Sequence, residues 1–203
     1  MTRLTKFISI LMFFIICGVA MAATSPVTTL QSVSAQVLAE LKTNQKSLKS
    51  NPRLSYNIIK RQLLPHVDIE GMSRSVLGRE VWSQATPTQR QEFVQAFTEL
   101  MIRTYARAFS AYTNEDVKFH PIRGGAEGKS RTQVESEIIR TTGPTIAVNY
   151  RMVLLGGAWK VYDFSIENIS MLQSFRAQFS EELHHGGLPA LLQKLTQHNA
   201  SRK

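Results

Sequence analysis

The sequence predicts an α+β domain in which helices flank one antiparallel sheet of four strands. Three observations predict it. Apolar residues recur at helical spacing through the first half of the chain, as far as Tyr112. Between Asp116 and Ile166 the period drops to two, in four runs separated by turn residues. From Ile169 onward the helical period returns. Helices, a meander and helices again give an antiparallel sheet with one apolar face to cover.

Residues 1–22 read as a secretory signal and not as part of the fold. Arg3 and Lys6 make a positive start, residues 7–19 an apolar run, and Ala20-Met21-Ala22 a small-x-small cleavage site. The run is shorter than the roughly 20 apolar residues a spanning helix needs. Cleavage leaves one domain, residues 23–203. Cys17 is the only cysteine and leaves with the signal. The mature chain then has no disulfide, cysteine nucleophile or thiolate metal site. Low cysteine in an exported protein fits a bacterial periplasm, where ATP is not expected. Removing Arg3 and Lys6 from 24 Lys and Arg leaves 22 against 15 acids, a net charge of +7. The excess is spread without a like-charge block, which favours anionic membrane surfaces or acidic partner proteins over nucleic acid.

The elements follow in order. Residues 27–49 form a helix with the stripe Leu30, Val33, Val37, Leu38 and Leu41. Asn51 and Pro52 open a second helix, with Leu54, Ile58, Ile59 and Leu63 inward, and Pro65 stops it. Residues 67–77 form a third, ended by Gly78, and residues 80–85 a further turn. Residues 86–112 form the longest. Thr86 is its N-cap, Pro87 its first residue and Gln89 completes a capping box. Its stripe runs through Phe93, Phe97, Met101, Tyr105 and Phe109. The strands are residues 116–122, 131–140, 145–155 and 159–166, with Gly156-Gly157 as a tight hairpin. In the fourth strand Lys160, Tyr162 and Phe164 share one parity and Trp159, Val161 and Asp163 the other, so either set can face inward. Residues 169–183 and 188–197 are helices around Gly186-Gly187.

Chemical motifs are sparse. Residues 123–130 end in Gly128-Lys129-Ser130, but Arg123 stands where a phosphate-binding loop needs glycine, and the loop joins two strands. The histidines 66, 120, 184, 185 and 198 lack zinc-ligand spacing. No nucleophile elbow is present. Asp163 and Glu167 straddle a strand-to-helix junction, where Glu167 is placed to favour the helix dipole. The sharper signal is apolar: the 86–112 stripe and the inner sheet face must bury each other or enclose something. Methionine suits a surface that repacks around a flexible guest.

Four stretches carry a resemblance to a known family. Asn51-Pro52 precedes Leu63-Leu64-Pro65-His66-Val67-Asp68. Leu77-Gly78 precedes Trp82. Ala85-Thr86-Pro87-Thr88-Gln89-Arg90 leads to Phe93 and Phe97. Trp159-Lys160-Val161-Tyr162-Asp163 runs to Glu167 and then Asn168-Ile169-Ser170-Met171. In order and spacing these resemble the MlaC-type periplasmic phospholipid-binding proteins of the toluene-tolerance and lipid-asymmetry pathway. Asn168 replaces the family's usual glycine, and asparagine tolerates left-handed backbone next best. The resemblance implies helices wrapped on a twisted four-stranded sheet, a nuclear-transport-factor-like cone around an apolar cavity. It implies a phospholipid held by its acyl chains, with no enzymatic activity and no cofactor. The implied partners are an inner-membrane ABC transporter with an MCE-domain subunit and an outer-membrane lipoprotein–porin complex, with the chain itself a monomer. From periodicity, the expected lining is Val76, Leu77, Phe97, Met101, Tyr105, Phe109, Val134, Ile138, Val148, Tyr150, Met152, Phe164, Ile169 and Leu172. Tryptophan at position 148 or 101 is then expected to block cargo uptake. Two rival classes stay open. One is an exported enzyme on the same cone, using Asp163 or a histidine on a small apolar substrate. The other is a packed adaptor acting through its basic surface.

Overall fold

The structure, a computed structural model, describes residues 24–200, so the proposed signal and Cys17 lie outside the described residues. The helix α1 (Pro26–Leu48) starts on a proline and buries Leu30, Val33, Val37, Leu41 and Leu48 along one stripe. The helix α2 (Pro52–Ile58) runs on through a π turn (Ile59–Leu63) and a 3-10 turn (Leu64–His66). Pro65 lies in that last turn, and Val67 is already extended (φ −109°, ψ 137°).

The third helix does not begin at Val67 as the sequence suggests. Val67 forms a parallel bridge to Val161, and the Asp68 N–H donates to the Val161 carbonyl at 2.9 Å. The Asp68 side chain then accepts from Gly71 N at 3.0 Å and caps α3 (Ile69–Gln84). A Cβ on Gly71 would stand 2.0 Å from Asp68 Oδ2, so this cap needs glycine. At Gly78 (φ 78°, ψ 163°) α3 breaks and resumes, joining the expected third helix to its further turn.

The helix α4 (Pro87–Ser110) has the expected capping box: Thr86 Oγ accepts from Gln89 N, and Gln89 Oε1 accepts from Thr86 N. The partner of its stripe differs from the expectation. Phe93, Phe97, Leu100 and Met101 pack on Met72, Val76 and Leu77 of α3 and on Phe175 and Phe179 of the last helix. Phe93 and Phe97 stack at 5.7 Å, and Phe97 meets the edge of Phe175 at 5.1 Å. Both α4 rings are fully buried. Each is worth roughly 1.5–3 kcal/mol from burial and about 1 more from each ring pair. This is the dry centre of the helical half.

The sheet has five strands in sequence order, one more than expected: β1 (Asp116–Phe119), β2 (Arg131–Ile139), β3 (Ile146–Leu155), β4 (Ala158–Ile166) and β5 (Ile169–Ser170). Every neighbouring pair is antiparallel. The extra strand arises because Glu167 (φ 49°) and Asn168 (φ 65°) make a tight left-handed turn, returning Ile169 onto Ile166. Asn168 thus takes the backbone that glycine would otherwise supply. Glu167 does not serve the following helix. Its Oε1 accepts from Ala147 N at 2.6 Å and its N–H donates to the Ala147 carbonyl at 2.9 Å.

The parity question in β4 has a definite answer. The register slips between Arg151/Met152, where Met152 pairs with Val161 while Arg151 pairs with Asp163. Tyr162 is the extra residue of a bulge. Trp159 and Val161 therefore share the inner face with Phe164 and Ile166. The helix α5 (Met171–Ala200) bends at Gly187 (φ 63°, ψ −164°) just before Pro189, which separates the two expected final helices. Among the described residues no helix is long and apolar enough to cross a membrane.

Candidate functional site

The inner sheet face is continuous and largely apolar, broken by the Thr132 and Ser136 hydroxyls, because β2, β3 and β4 alternate in phase once the bulge is counted. Cross-strand rows stack along it: Met152 with Val161, Val134 with Tyr150 and Phe164, Val148 with Ile166, and Ile138 with Ile146. Burial falls along these rows. Val134, Met152, Trp159 and Val161 are closed, under Leu30 and Val27 of α1 and under Ile122 and Ala126 of the β1–β2 loop. Toward the other end Ile138, Ile146 and Ile166 are only half-buried, and Ile169, paired beside Ile166, is 61% exposed. The face is sealed at one end and ends in a rim of four isoleucines at the other.

Facing it are the last turns of α4. Tyr105 meets Phe164 at 5.1 Å between ring centroids, and Tyr105 and Phe109 pack with Tyr56, Leu63 and Leu64 around Ile59, Ile102 and Ala106. Tyr150 is half-buried on this face. Burial pushes its phenol up, opposed in part by a hydrogen bond with Ser136. Burial also raises the Tyr105 phenol, with the Asp163 charge adding to it. Both stay neutral, so the wall is apolar with two hydroxyl handles.

The structure sorts the expected lining residues into groups. Val134, Tyr150, Met152 and Phe164 come together on the inner face, with Val148 and Ile138 on the same face. Tyr105 touches it from α4 through Phe164, whereas Phe109 packs on Val37, Leu41, Leu48 and Ile58 of α1 and α2. Phe97, Met101 and Leu172 instead belong to the helical core. Val76 and Leu77 line a separate cleft of about 640 Å³ between α3 and α5, with Val81, Leu183 and Leu188 beside them. Ile169 stands at the rim. Trp159, Val161, Leu30, Ile146 and Ile166 join the inner face without having been singled out. Ile146 and Ile166 were within reach of the alternation, whereas Trp159 and Val161 depended on the bulge.

Asp163 is 3% exposed on the opposite face of the sheet. Its Oδ2 accepts from the Ser170 hydroxyl at 2.8 Å and its Oδ1 from Leu172 N at 3.2 Å. Arg151 lies at 3.6 Å. Ser170 Oγ in turn accepts from Gln173 N at 3.2 Å, so this carboxylate anchors the start of α5. His66 is lowered by burial and by Lys160. The Gly128-Lys129-Ser130 loop leads into β2 and not into a helix, so it lacks the amide cradle of a phosphate-binding loop. Among the described residues no three His, Cys, Asp or Glu side chains are grouped to hold a metal ion.

Comparison with known proteins places this geometry. The family model described as MlaC protein matches residues 31–197. The toluene tolerance protein ttg2D of Pseudomonas putida is 30% identical over 166 residues, covering 82% of this chain and 76% of its own. The intermembrane phospholipid transport system binding protein MlaC of Haemophilus influenzae is 27% identical over 202 residues, covering 96% and 94%. Among solved structures, a phospholipid-binding protein from Ralstonia solanacearum in complex with a phospholipid superposes with a TM-score of 0.80 at 28% identity. That match covers 88% of this chain and 98% of that one. A match over most of its length, in sequence and in fold, establishes that the chain belongs to the MlaC family.

Proposed function

We propose that this protein carries a phospholipid, with the acyl chains between the inner sheet face and the end of α4 and the head group at the isoleucine rim. The observation that carries the proposal is the largely apolar sheet face, closed at one end and half-buried to exposed at the other. The relatives named for phospholipid binding and transport support it. A two-chain lipid with roughly 28 methylenes would cost on the order of 20 kcal/mol to carry bare through water. A carrier has to match the bilayer and not exceed it, so that loading and unloading both stay near balance. Half-buried rings that can swing aside suit that task, and a tight charged head-group socket does not. Nearby Lys and Arg would then give only mild, salt-sensitive attraction to the phosphate. The compartment is the periplasm, reached by cleavage after Ala22. The exchange partners are an inner-membrane MCE-domain ABC transporter and an outer-membrane lipoprotein–porin complex, with energy from the transporter.

The test is native mass spectrometry of protein exported from the full-length reading frame and purified without detergent. A one-to-one adduct in the phospholipid mass range, on a chain beginning at Ala23, is expected. Bare protein that stays bare after incubation with liposomes would overturn the carrier reading.

A further inference from the structure

The sealed end of the sheet has a surface chemistry of its own. There the β1–β2 loop and the β3–β4 turn are tied together by Leu154 N donating to the Ser130 carbonyl at 2.8 Å. At the turn Leu155 is 44% exposed, one of three large apolar side chains in that state among the described residues. Its parity puts it on the outer face, one row beyond Arg131, Val153 and Lys160. At the same end of the sheet a hollow of about 340 Å³ is lined by Arg123, Lys129, Arg131 and Glu135. None of these cations, nor Lys160, has a carboxylate at ion-pair distance. Arg131 lies over the Tyr162 ring at 5.0 Å, Lys129 donates to the Gly125 carbonyl, and Lys160 donates to the Pro65 carbonyl. Glu127 and Glu135 are the acids nearby, so cations outnumber acids by four to two. Four cations and one exposed leucine at the same end of the sheet make an arrangement suited to an interface that is anionic outside and apolar beneath.

We propose that this end docks on an anionic phospholipid bilayer, Leu155 entering the head-group layer while Arg123, Lys129, Arg131 and Lys160 meet its phosphates. The inference rests on the loop and turn and not on the cargo. It also sets an orientation. The strand β3 holds 10 residues, so the isoleucine rim would stand roughly 30 Å above the docked surface, facing away from it.

The test is flotation of the full protein with vesicles of equal parts phosphatidylglycerol and phosphatidylcholine, against pure phosphatidylcholine, at low and high salt. The wild type is expected to bind the anionic vesicles alone and to lose them at high salt. The pair Arg123→Ser/Lys129→Ser is expected to weaken binding about 30-fold, at about fivefold per cation near the surface. Leu155→Ser is expected to weaken it about tenfold and leave the salt dependence unchanged. The control Lys42→Ser/Lys46→Ser removes equal charge from exposed positions far along α1 and should change little. No binding to anionic vesicles, unchanged binding by the loop pair, or an equal loss in the control each overturns the proposal. Native mass spectrometry of the loop pair should still show its bound lipid, so failure of docking and failure of the carrier reading are told apart.

Discussion

Val148→Trp tests where the acyl chains lie. Val148 is 4% exposed on the inner face, between Ser136 and Ile166 in its row, and belongs to none of the packed core clusters. Tryptophan adds about seven side-chain heavy atoms, and at ~0.8 kcal/mol per displaced methylene the cargo loses on the order of 5 kcal/mol, nearly four powers of ten in affinity. The fold should lose only about 1–3 kcal/mol, because Ile166 and Tyr150 beside it are half-buried and can move. Met101→Trp is no equivalent test, since Met101 sits among the helical-core rings and its enlargement probes packing. The proper companion is Val81→Trp, which places the same bulk in the α3–α5 cleft. Native mass spectrometry with a melting curve reads both variants. Folded Val148→Trp without lipid and Val81→Trp with lipid is the expected pair. Lipid kept by the first and lost by the second would refute the reasoning and move the acyl chains to the cleft.

Three further outcomes follow from single contacts. Asp163→Ala strands the Ser170 hydroxyl and Leu172 N–H at the start of α5, and urea denaturation should show a loss of about 3 kcal/mol. Thr86→Ala breaks the capping box of α4 and should cost about 1 kcal/mol in the same assay, with the urea slope unchanged. The Tyr56 phenol is pushed up to about 12, by burial first and then by the Glu99 carboxylate it donates to at 2.6 Å. A raised folded pKa means that its contribution to stability is present below the unfolded value of 10.0 and is lost as pH rises through about 12. Glu99→Gln removes the charge and leaves the burial, so ultraviolet titration should place Tyr56 between those two values.

The sequence made the helix starts and strand phases legible because local chemistry decides them. Thr86, Pro87 and Gln89 specify one cap geometry, and the alternation from Ile146 to Leu154 admits one face at a time. Periodicity describes the polarity of a face and not its partner. The α4 stripe therefore looked able to meet the sheet, although Phe175 and Phe179, four apart on α5, are the complementary rings. The bulge at Tyr162 was hidden for a different reason. It lets Asp163 point to the start of α5 while Val161 and Phe164 stay inside, a compromise between two distant elements that no local pattern records. The short β5 depends likewise on two consecutive left-handed residues, Glu167 and Asn168. Six of the fourteen expected lining residues share the inner face, Ile169 stands at its rim and Tyr105 touches it, and the other six were separated by which helix their stripe met.

The division of the interior has a physical logic. A carrier cannot depend on its cargo chamber for stability, because the chamber's contacts change whenever lipid enters or leaves. In this chain the broadest closed packing among the described residues lies away from the proposed chamber, in the Phe93, Phe97, Phe175 and Phe179 cluster that joins α4 to α5, and the sheet face itself is closed only at its Trp159 end. The proposed chamber side is then left to the half-buried rings of Tyr105, Tyr150 and Phe164. Enlarging or shrinking a chamber residue should therefore alter cargo more than melting temperature, and changing a helical-core ring should do the reverse.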